Sequence, residues 1–199
     1  MSARLTTVVG IWVYYFIQML QQLRGESPLL TMAHLCPVVI SGFIAAVTTG
    51  RVISRIGPGW VMLISMLAFL TGNILVATLP VNQIYWAQTF VTTLIIPWGM
   101  DMSFPAGTLI MSNAVAKKHQ GMAASLVNTI VNYSISIGVG IAGTVEVHVN
   151  NGGRTAEDEL HGYRGAMYVS VGLSGMGVVT SLLFLLKMWL REKRAQNKI

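Results

Sequence analysis

Asp101 is the one acidic residue set well inside a long apolar run, and Pro97 and Pro105 stand four residues to either side of it. A carboxylate in such a run costs several kcal/mol unless it is hydrated, paired or protonated. The i±4 spacing puts all three residues on one helix face. Each proline lacks an N–H and frees the carbonyl one turn earlier, and for Pro105 that carbonyl is Asp101's own. Pro97 and Pro105 are therefore expected to break or kink the helix beside the carboxyl. Irregular backbone at membrane depth is tolerated where it is buried in protein or lines a cavity. Two readings of Asp101 follow: a protonatable or cation-binding carboxyl facing a solute path, or an acid near the inner end of an overlong helix reaching the interface.

Further polar residues recur at helical spacing. Ser125, Asn128, Asn132 and Ser136 follow i, i+3, i+7, i+11 and make one stripe. Tyr14, Gln18 and Gln21 share a face, with Tyr15 and Gln22 beside it. Such amides and hydroxyls either line a cavity or hydrogen-bond to neighbouring helices. Glu146, at the outer end of its apolar run, is a second, weaker acid candidate. Metal binding is not expected: His34, His119, His148 and His161 do not cluster, and Cys36 is the single cysteine. No nucleophile elbow, phosphate-binding glycine loop or zinc-protease pattern occurs, so neither an enzyme nor a cofactor is expected.

The elements that must position these residues are six apolar stretches, 5–23, 29–49, 60–79, 84–111, 122–145 and 166–186, each about the 20 residues a transmembrane helix needs. The chain is 53% hydrophobic and 10% charged, with 20 glycines, as in a helical membrane bundle. The fold class is all-α, with six spans in one transmembrane domain. Placing the N-terminus in the cytoplasm collects Arg4, Arg51, Arg55, Lys117, Lys118, Lys187, Arg191, Lys193, Arg194 and Lys198 inside, against Arg24, Arg154 and Arg164 outside. Ten against three predicts both termini cytoplasmic, a basic tail over 187–199, inner turns at 51–59 and 114–121, and an outer loop at 148–164. The net charge of +6 then reflects loops facing anionic lipid, and no nucleic-acid partner is required. The third and sixth spans are the least polar and are expected to face lipid, whereas the first, fourth and fifth are expected to line a cavity.

The run Pro97-Trp98-Gly99-Met100-Asp101-Met102-Ser103-Phe104-Pro105, continued by 119–129 and 131–138, resembles fungal transporters of the major facilitator superfamily. Within them it is similar to the fourteen-span drug:proton antiporter branch that includes the aminotriazole-resistance type. The resemblance implies the C-terminal half of a secondary transporter, with a small-molecule substrate and protons as its cargo. Its partners would be the lipid bilayer and a missing N-terminal half or a second copy. It also implies a cytoplasmic gate loop at Gly50, Arg55 and Gly57, where Ser54 replaces the family's acid. The expected activity is proton-coupled export across the plasma or vacuolar membrane. The alternative is a truncated chain that does not transport, or an assembly partner.

Overall fold

A computed structural model describes residues 2–196. Met1 and the end of the basic tail, with Lys198, lie outside the described residues, as do the side chains of Arg4, Arg191 and Arg194. Helix α1 (Ser2–Gln18) runs into a single π turn at Met19–Leu23, closed by the Arg24 N–H on the Met19 carbonyl at 3.2 Å. Helix α2 (Pro28–Ile56) starts where the Ser27 hydroxyl accepts the Leu30 N–H and Pro28 occupies the first turn. Helices α3 (Pro58–Ala77), α4 (Gln88–Asn113), α5 (Gln120–Val149) and α6 (Ala156–Gln196) follow, with a short 3₁₀ turn at Lys117–His119 before α5. No strand occurs among the described residues.

Among the described residues four helices are long and apolar enough to cross a membrane, namely α2, α3, the segment holding α5, and α6. Of the other two, α1 is only 17 residues long, and α4 carries Asp101 and two prolines in its apolar run. Helix ends correct the expected turns in two places. The inner turn expected at 51–59 is helical through Ile56, and the chain reverses at Gly57 alone, whose φ of 82° suits glycine. The Ser54 hydroxyl donates to the Arg51 carbonyl and the Arg51 guanidinium to that of Val47, so polar side chains prolong α2 beyond its apolar run. The outer loop expected at 148–164 shrinks in the same way to the residues between Val149 and Ala156. Thr155 accepts the Asp158 N–H and donates to its carboxylate, capping α6, while Glu157, Asp158 and Glu159 complement the helix dipole. Hydropathy marks what a bilayer can hold, and these caps set where the helices stop.

Helix α3 packs against α4 and α6, α1 against α5 and α6, and α2 against α4. The core holds Tyr15, Phe16, Met62, Met66, Phe69 and Met167. Glycine permits close crossing between α3 and α4: a Cβ at Gly99 would lie 2.7 Å from the Phe69 ring. Of α3, expected to face lipid, only one stripe is exposed, holding Trp60, Ile64, Leu67, Thr71 and Ile74. Of its most apolar stretch 56% is buried, against 17% in α2 and 22% in α6. Its amide, Asn73, is wholly buried, donating to the Phe69 carbonyl at 2.7 Å and accepting from the Ser170 hydroxyl at 2.8 Å.

Candidate functional site

Asp101 extends from α4 toward α2, where Gly42 leaves room for it. A Cβ at Gly42 would fall 2.7 Å from Asp101 Oδ2 and 3.7 Å from the Pro97 Cβ, so a larger residue would collide with the carboxylate. The prolines do not break the helix: α4 runs through Pro97 and Pro105 from Gln88 to Asn113. One missing N–H in a long, packed helix is a local loss that neighbours can offset. The Ser41 hydroxyl on α2 donates to the Leu94 carbonyl at 2.6 Å, just before Pro97, and the Ser103 hydroxyl donates to Met100 at 2.9 Å.

The carboxyl is half-buried, and among the described residues no hydrogen bond or ion pair engages it. It opens on a cavity of about 430 Å³ whose other walls are Val9 from α1, Ala46 from α2, Met100, Ser103 and Phe104 from α4, and Val127, Val131 and Ile135 from α5. Val9 and Ile135 also border a second hollow, of about 510 Å³, in the groove between α1 and α5. There Tyr14 and Gln18 meet, the Gln18 amide donating to the Tyr14 hydroxyl at 3.3 Å. Asp101, Tyr14 and Gln18 are thus brought to one side of the bundle.

Other candidates lie elsewhere. Gln21 and Gln22 do not border that hollow, because the π turn at Met19–Leu23 widens the helix and changes the register that put them below Tyr14. Gln22 instead accepts the Tyr163 hydroxyl of α6. Ser125, Asn128, Asn132 and Ser136 are exposed, opposite the packed face of Ala123, Val127, Ser134, Gly138 and Ala142. They do not line the Asp101 cavity, and among the described residues the Asn128 and Asn132 amides make no hydrogen bond to a neighbouring helix. The α5 residues that do line the cavity are aliphatic. Gly50 and Arg55 lie exposed on the last turns of α2, beside Gly57. Among the described residues no group of three or more His, Cys, Asp or Glu could hold a metal.

Sequence reasoning passed over several contacts. Tyr15, wholly buried, donates to Glu146 Oε2 at 2.7 Å across α1 and α5. Arg24, in the turn before α2, donates to the Thr89 hydroxyl at 3.2 Å and the Pro80 carbonyl at 3.1 Å, tying that turn to the connection between α3 and α4. Burial lowers its guanidinium from the ordinary arginine range, partly opposed by Glu26. His34 pairs with Glu26 at 2.9 Å and stacks on Tyr85, with ring centres 4.0 Å apart. Gly42 gave no signal beyond its small size in an apolar run.

The Major Facilitator Superfamily profile matches residues 5–199. A low affinity ammonium transporter of Saccharomyces cerevisiae is 52% identical over 185 residues, covering 93% of this chain and 35% of that protein. The efflux pump terJ of Aspergillus terreus is 44% identical over 189 residues, 95% of this chain and 36% of the pump. The aminotriazole resistance protein of S. cerevisiae is 36% identical over 187 residues, 94% of this chain and 34% of its own length. The chain therefore spans about a third of the length of these curated relatives.

Proposed function

This chain belongs to the Major Facilitator Superfamily, and on that premise we propose that it is the C-terminal six-helix half of a proton-coupled exporter of small solutes. The observation that carries the reading is the unpartnered Asp101 carboxyl on a cavity formed by four helices. An uncompensated carboxylate in apolar surroundings is costly, so the group holds a proton, water or a cationic solute. Exchanging a proton for solute at one carboxyl, exposed first to one side and then to the other, is antiport. Ammonium, named for the yeast relative, is one cation of suitable chemistry.

The open stripe on α5 supports the second part of the reading. Asn128 and Asn132 would be costly against hydrocarbon. A second bundle across a water-filled path gives them an environment and gives alternating access its other wall. That bundle is either the N-terminal half or a second copy. The six spans, both termini on the cytoplasmic side and the turn at Asn150–Gly153 outside, in the plasma or vacuolar membrane, complete the arrangement. Gly50, Arg55 and Gly57 then lie at its cytoplasmic gate, and an epitope inserted at Gly152 is reached by antibody on intact cells.

The test is Asp101→Asn in the complete transporter. Proton-driven flux is lost while membrane abundance stays near normal, and Asp101→Glu keeps partial activity. Unchanged pH dependence in Asp101→Asn would make the carboxyl structural. The second reading, a chain that does not transport by itself, is favoured by its span of a third of its relatives. Expression alone and with a complementary half separates the two: flux only on coexpression fits the half-transporter, and no flux in either case fits the fragment.

A further inference from the structure

We propose that Glu146, held by the buried hydroxyl of Tyr15, is a second proton-binding carboxyl, further along the α5 face that starts at the Asp101 cavity. On α5 the residues Ile135, Val139 and Glu146 share one face, at i, i+4 and i+11. Ile135 and Val139 border the hollow between α1 and α5, and Ile135 also borders the Asp101 cavity. The same face therefore rises from the Asp101 cavity to Glu146, a climb of eleven residues, roughly 16 Å along the helix.

The surroundings of Glu146 are built for it. Tyr15 Oη donates to Glu146 Oε2 at 2.7 Å from a side chain with no exposed surface. On the α6 side Gly162 clears the space: a Cβ there would lie 3.1 Å from Glu146 Cγ and 2.8 Å from the Asn150 Cβ. The Tyr163 ring packs on that of Tyr15 with centres 5.7 Å apart, and its hydroxyl is directed to Gln22 and leaves the carboxylate alone. Glu146 itself is partly exposed, so water reaches it.

Among the described residues no cation pairs with the carboxyl. The titratable groups near the carboxyl are Tyr15 from α1 and Tyr163 from α6, and those two tyrosines in turn neighbour Tyr14 and, for Tyr163, Glu159. On α5 the His148 ring is engaged with the Thr144 carbonyl, and on α6 Arg164 donates to the Leu79 carbonyl. Among the described residues Glu146 makes no ion pair. A neutral donor on one oxygen stabilises the anion without fixing it, whereas a cation would lock it in the charged form. The proton comes from water, binds the free oxygen Oε1 and returns to water, while Tyr15 keeps its own proton throughout.

Infrared difference spectroscopy on the full chain in phosphatidylcholine nanodiscs tests this, by following the C=O stretch of protonated carboxyls through a pH titration. Glu146→Gln removes one titrating component, and Asp101→Asn leaves that component in place. Tyr15→Phe moves it to higher frequency, because the carbonyl loses a donor. Unchanged spectra in folded Glu146→Gln overturn the assignment. If that variant does not fold, an unmoved band in folded Tyr15→Phe overturns it equally. The readout needs no transport, so a failure of Asp101 as the coupling group leaves this result standing.

Discussion

Helices α3 and α5 handle their polar residues in opposite ways. On α3 Asn73 and Ser65 turn inward and are buried, and both are satisfied, the amide by Phe69 and Ser170 and the hydroxyl by Met62. What α3 shows outward is Trp60, Ile64, Leu67, Thr71 and Ile74, with the Thr71 hydroxyl turned back to the Leu67 carbonyl of its own helix. On α5 the inward face is small, with the Ser134 hydroxyl bonded to Ile130, and the outward one presents Ser125, Asn128, Asn132 and Ser136 among exposed apolar residues such as Leu126, Tyr133 and Ile137. A polar residue turned inward and paired holds a bundle together. One turned outward at the same depth implies water or another protein beyond the bundle.

That contrast can be broken by substitutions ranked by their effect on stability, read as unfolding midpoints of the chain in detergent. The largest loss is expected where α3 meets α4. Gly99→Val places a branched side chain against the Phe69 ring, for a cost of about 1–3 kcal/mol. Next is Ser170→Ala, which removes one interhelical hydrogen bond to Asn73 and costs about 0.6 kcal/mol, the average for such bonds within membranes. Smallest is Asn132→Leu, within about 0.5 kcal/mol of the parent because nothing among the described residues holds that amide. A loss for Asn132→Leu as large as that for Gly99→Val would mean that α5 packs through its polar face.

The sequence made some of this legible and hid the rest for physical reasons. Six helices could be read because long apolar runs have few other solutions in a bilayer. Their ends could not, since α2 continues to Ile56 and α6 begins at Ala156 through polar residues that hydropathy does not count. The α5 stripe was visible at helical spacing, but spacing does not say which way a stripe faces. The helices packed on α5, namely α1, α4 and α6, decide that. Asp101 stood out by its rarity, while Gly42, which seats it, looks like any other glycine in an apolar run. The pairing of Gln22 with Tyr163 depends on a π turn, and its extra residue defeats any count at 3.6 per turn.

Water access along α5 tests the central claim most directly. Cys36 is first replaced by serine, and single cysteines are then placed at Asn128, Asn132, Leu67 and Ile74 in the complete transporter. A membrane-impermeant charged maleimide, applied from either side, reacts where a thiolate meets water. The account predicts rapid labelling of Asn128→Cys and Asn132→Cys, slowed by transported solute, and little labelling of Leu67→Cys and Ile74→Cys. Labelling at the α3 positions equal to that at the α5 positions, or none at Asn132→Cys from either side, would contradict it.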